Sequence, residues 1–110
     1  MRDRSACHKL LEKCWGETDQ AFEKLSHVIT FKSRGDTIEA LAHWNAATRY
    51  RAKARKALTA AVNLLVDDAL IEPSRADSRL IESAKLLNRV HQVGLEMLMS
   101  ALEACLTGNG

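Results

Sequence analysis

The chain is predicted to be all-α, an up-down-up antiparallel bundle of three long helices, and three observations carry that reading. Its 110 residues are 46% hydrophobic and 27% charged, enough to build one core in one domain and too apolar for a disordered tail. The 16 alanines and 15 leucines favour helix, whereas five glycines and one proline are too few for the many tight turns of an all-β fold. Two short breaks, Ser33-Arg34-Gly35-Asp36 and Glu72-Pro73-Ser74, divide the chain into three segments of similar length, and no segment alternates as a strand does. Short links between sequential helices make them antiparallel neighbours. One domain over 1–110 is expected, as part of a larger protein.

The first helix is expected over about 5–32. Cys7, Leu11, Cys14, Ala21, Leu25 and Val28 step by threes and fours along one face, and only Thr18 interrupts the series. Gly16 and Thr18 mark a point where the helix is expected to bend, or to start afresh with Thr18 as its cap. The second helix, over about 37–71, carries a column of small residues at Ala40, Ala47, Ala54 and Ala61 that lets a neighbour approach closely. Tyr50, Ala57, Leu64 and Ile71 flank the column on one side, and Trp44, Leu58 and Leu65 on the other. Asp36 with Glu39 fits a reciprocal cap at its start, and Pro73 stops it near Ile71. The third helix, over about 75–106, is expected to begin on a Ser74–Asp77 cap. Its inward stripe reads Leu80, Ala84, Leu87, His91, Gly94, Leu98 and Ala101, widened by Val90, Met97 and Ala104. Thr107-Gly108-Asn109-Gly110 ends it.

The chemistry that would make an enzyme is missing from the sequence. It has no glycine-rich phosphate loop, no Cys-x-x-Cys and no His-Glu-x-x-His. Cys7 and His8 point about 100° apart on a helix, and so do Asp67 and Asp68, so neither pair converges. No catalytic residue, metal site or cofactor is expected. Cys7, Cys14 and Cys105 are an odd count without a disulfide framework and read as reduced thiols of a cytoplasmic protein, with Cys14 and Cys105 on apolar faces. No apolar run approaches the ~20 residues of a membrane span, so no membrane insertion is expected.

The net charge of +2 is too even to predict nucleic-acid or membrane binding by itself, and the electrostatic signal is local. Arg49, Arg51, Lys53, Arg55 and Lys56 cluster in the second helix, with Arg49, Lys53 and Lys56 on one face. Such a stripe is a solvated helix back, a contact for an acidic peptide, or a phosphate contact for nucleic acid.

The stretch from Ala21 to Tyr50, AFEKLSHVITFKSRGDTIEALAHWNAATRY, resembles the MIT (microtubule-interacting and trafficking) domain family. The matching landmarks are Ala21, Gly35, Glu39-Ala40-Leu41, Trp44 in place of the usual tyrosine, Ala47 and Tyr50. Ile81-Glu82-Ser83-Ala84-Lys85-Leu86-Leu87 looks like the family's third-helix element. The resemblance implies a non-catalytic module that binds short helical tail motifs of ESCRT-III (endosomal sorting) proteins and recruits its parent protein to endosomes or the midbody. It places Ile81 at the groove between helices two and three, with Lys85 where an acidic residue is common. Arg49 and Lys53 are read as rimming the same groove. Two alternatives stand beside this: a structural bundle that self-associates through the wide apolar arc of the third helix, and a nucleic-acid-binding module using the Arg49–Lys56 stripe.

Overall fold

The structure, a computed structural model, describes residues 4–72 and 77–107. It is an all-α three-helix bundle measuring 55 × 20 × 16 Å. Helix α1 spans Arg4–Ser33 and α2 spans Thr37–Ile71. The third helix is composite: α3 (Ser78–Arg89), a π-helical turn (Val90–Leu95) and α4 (Glu96–Leu106).

The hairpin of α1 and α2 is built as the sequence predicts. Cys7, Leu11, Cys14, Ala21, Leu25 and Val28 are all buried, and so is the column Ala40, Ala47, Ala54 and Ala61. Both sets repeat every seven residues, so one face of each helix meets the other from the turn as far as Cys7 and Ala61. The Cys7 thiol lies 3.8 Å from the Ala61 carbonyl oxygen and fixes the antiparallel register. The turn between the helices satisfies the last carbonyls of α1: the Gly35 amide donates to Lys32 and the Asp36 amide to Phe31. That double closure needs a left-handed residue, which Gly35 supplies at φ +77°.

Asp36 caps α2 by accepting from the Glu39 amide. The reciprocal half of the expected box is not made: the Asp36 amide donates to the Phe31 carbonyl, and the Glu39 carboxylate lies 3.8 Å from the His43 ring. No break occurs at Gly16, and α1 runs through unbroken. Thr18 is not a cap. Its hydroxyl donates backward to the Cys14 carbonyl at 2.6 Å, which keeps it inside the helix and turned into the core.

The third helix corrects the sequence reading in three places. It begins at Ser78 with Asp77 as its N-cap, the carboxylate accepting from the Arg79 and Leu80 amides. Ser74, the expected cap, lies outside the described residues. The inward stripe is Ala84, Leu87, His91, Leu95 and Met99, whereas Gly94 and Leu98 are half-buried and Ala101, Met97 and Ala104 are exposed. Three successive four-residue steps, Leu87 to Met99, would walk about 120° around a regular α-helix. The wide turn prevents this: the Glu96 amide bonds to His91 five residues back, taking up one extra residue and returning Leu95 and Met99 to the core. The same shift turns Cys105, expected on an apolar face, out to solvent.

The core is divided in two. Cys7, Leu11, Cys14, Ala54, Ala57, Leu58, Ala61, Ala84 and Leu87 form one cluster, with Trp15, Leu64, Leu65 and Leu80 against it. Ala21, Leu25, Ala47, Leu95 and Met99 form the other, with Phe22, Trp44 and Tyr50 against it. Each fully buried leucine contributes about 2 kcal/mol. Thr18 and His91, the two buried polar residues among those described, bond to each other at 2.8 Å.

Candidate functional site

Three helices enclose less surface than four, and the gap falls between α2 and the third helix. Part of it is an open recess of about 320 Å³ lined by Trp44, Thr48 and Arg51 of α2 and by Glu96, Met99, Ser100 and Glu103 of α4. Trp44 and Met99 are its apolar base. Both belong to the second core cluster, so that end of the groove rests on packed side chains.

Arg51 and Glu96 close one side of the recess with a two-pronged ion pair, Nε to Oε2 and Nη2 to Oε1. The hydrogen bonds from Arg51 hold the Glu96 carboxyl below its usual range, and the same bonds raise the guanidinium. Glu96 reaches Arg51 because the π-helical turn precedes it. The pair also neutralises one of the five cations between residues 49 and 56.

The four residues singled out from the sequence do not form one site. Ile81 is half-buried on α3. Counting from the buried stripe, Ile81 lies on the same side of the third helix as Glu96, but it does not line the recess. It sits 15 residues before Glu96, roughly 20 Å along the axis. Val62 and Val66 repeat the direction of Trp44 and Thr48 after five full turns, and both are exposed at that far end, at 38% and 49%. Lys85 is exposed and pairs with Glu82 at 3.6 Å. Arg49 is exposed, and the Lys53 ammonium stands 5.5 Å over the Tyr50 ring. Neither Arg49 nor Lys53 lines the recess.

The residues that sequence reasoning passed over are Thr48, Arg51, Glu96, Met99, Ser100 and Glu103, together with Trp44, which was assigned to the core. A signal for Arg51 existed. It falls out of phase with the Arg49–Lys53–Lys56 face, and Glu96 is the one acid between Val90 and Leu102.

Among the described residues, no group of three or more His, Cys, Asp or Glu could hold a metal ion, and no helix is long and apolar enough to cross a membrane. The fold and the recess together define a helical bundle with an open recess between α2 and α4. No protein-family model matches the chain, and neither a curated protein nor a solved structure matches it.

Proposed function

We propose that this chain is a non-catalytic interaction module that takes an amphipathic helix into the groove between α2 and the third helix. The partner class follows from the resemblance of Ala21–Tyr50 to MIT domains: helical tail motifs of ESCRT-III-type proteins, with recruitment of the parent protein to endosomal trafficking machinery. The observation that carries the reading is the recess itself, which opens between helices two and three with Trp44 and Met99 at its base and polar side chains around it. An amphipathic helix laid there completes a four-helix arrangement, its apolar face covering Trp44 and Met99.

The test is titration of fluorescent ESCRT-III tail peptides, read by anisotropy, against the wild type, Ser100→Arg, Thr48→Arg and Ile81→Asp. Ser100 is exposed and Thr48 only half-buried, so both arginines fill the recess without cutting into the core. Each is expected to weaken binding at least tenfold with helicity unchanged, and Ile81→Asp to do so if the bound helix reaches the far end. No binding across the set removes the function, and binding indifferent to Ser100→Arg removes the groove.

One observation favours a second reading. Leu86, Val93 and Met97 are 53%, 60% and 63% exposed and form an outer ridge on the third helix, the kind of surface that pairs with a second copy. Sedimentation across a hundredfold concentration range separates the readings, since a mass constant at the monomer value disposes of self-association.

A further inference from the structure

The core layer shared by α1 and the π-helical turn carries a consequence for acid. His91 is fully buried, and its Nε2 lies 2.8 Å from the Thr18 hydroxyl oxygen. The single hydroxyl proton of Thr18 is already given to the Cys14 carbonyl. The Thr18 oxygen can therefore only accept, and Nε2 must be the ring nitrogen that bears hydrogen. That leaves Nδ1 bare, and it is buried with no hydrogen-bond partner.

A second proton has one place to go, and that place is hostile. At Nδ1 it would form a buried cationic N–H with no acceptor. Every element packed around the ring bears on this. From α1 come Thr18, whose oxygen already accepts from the ring, and the Cys14 thiol, 3.9 Å from Nε2. From α2 come Arg55 and Arg51, both of which disfavour a second positive charge. The third helix contributes Glu96, which favours the charge but already holds Arg51 through both carboxylate oxygens. Burial first, and Arg55 after it, push the imidazole below its ordinary 6.5.

His91 also stands where its own helix yields most readily. The turn Val90–Leu95 has five-residue hydrogen bonds in place of the regular ladder, and helices bend at such turns. We propose that His91 is an acid-sensitive latch: its neutral ring holds the third helix on α1, and protonation at Nδ1 releases the segment Val90–Leu106 from the hairpin. The hairpin keeps its own seam of Leu11, Leu25 and the alanine column and needs no neutral histidine.

The sign and size follow from linkage. Above 6.5 both the docked and the released ring are neutral, and the latch is fully closed. Below it the released ring takes up a proton more readily than the docked ring, so the released population grows, by at most about tenfold, between about pH 7.5 and about pH 5.5.

Amide hydrogen exchange of the full chain at those two pH values, corrected for the intrinsic rate, tests this on wild type and His91→Gln. The glutamine side chain keeps a donor for Thr18 and does not titrate. The expected result is a loss of protection at acid pH across 90–106 of up to about tenfold, little loss in the α1–α2 seam, and no such loss in the variant. Equal loss in all three helices, or none, overturns the latch. Nitrogen shifts of the His91 ring in the wild type give a reading that depends on no variant. A hydrogen on Nε2 at neutral pH is expected, and one on Nδ1 overturns the account.

Discussion

Deleting Val93 should leave the fold intact, whereas deleting Met97 four residues later should not. Both side chains are exposed, at 60% and 63%, so neither loss removes core volume. The difference lies in the backbone. Val93 sits inside the turn that holds one residue more than an α-helix needs, and without it the spacing His91–Leu95–Met99 becomes three then four, which a regular helix accommodates. Met97 sits in the regular α4, and its removal rotates all that follows by about 100°. Met99, buried at 6%, would leave the core, and half-buried Leu102 would turn with it. One buried and one half-buried apolar side chain amount to about 3–4 kcal/mol. Urea unfolding followed by circular dichroism should place the Val93 deletion within about 1 kcal/mol of wild type and the Met97 deletion about 3 kcal/mol below it. Equal losses would mean that the turn holds the register through its own contacts and is not a one-residue insertion.

Three further expectations concern single sites. Gly35→Ala should cost about 1 kcal/mol in the same urea assay, because Gly35 at φ +77° is strained for any Cβ although nothing crowds it. Glu96→Gln should cost about 1 kcal/mol at neutral pH, since it weakens a partly exposed ion pair. Because Arg51 depresses the Glu96 carboxyl, that contribution is present above its ordinary value of 4.5 and fades as pH falls through the lowered one, so the two proteins should converge in acid. Thiol labelling under native conditions should find one fast cysteine, Cys105, and two protected ones, Cys7 and Cys14, whose thiols are buried and pushed up by desolvation.

The hairpin was legible because its pattern admits one solution. The series from Cys7 to Val28 and the column from Ala40 to Ala61 each repeat every seven residues, and each has polar residues on the opposite face. Gly35 and the stops at Ile71 and Leu106 were equally plain. The third helix was harder because it is apolar on nearly all sides beyond Val90. Gly94–Leu98–Ala101 and Leu95–Met99–Leu102 are both credible stripes, and periodicity alone favours the first. Packing favours the second, which puts two large side chains into the core and leaves Gly94 where the Phe22 ring closes on it, 3.4 Å from where a Cβ would stand. The groove was legible in outline only. None of Ile81, Lys85, Arg49 and Lys53 lines the recess, and the Arg51–Glu96 pair depends on a backbone feature that no charge pattern announces. Thr18, the interruption in one stripe, and His91, a polar member of another, are two halves of a single contact.

That contact does something the leucines cannot. A helix that offers only Leu87, Leu95 and Met99 could slide one turn along the hairpin and find nearly equivalent company at each stop. Thr18 and His91 make one alignment unlike the others, because any slip strands two polar groups among hydrocarbon at about 1–3 kcal/mol apiece. Inside its core the bundle is thus keyed at one notch, beside the half-exposed Arg51–Glu96 pair at the rim, and the tooth that fits the notch is the side chain that acid would withdraw.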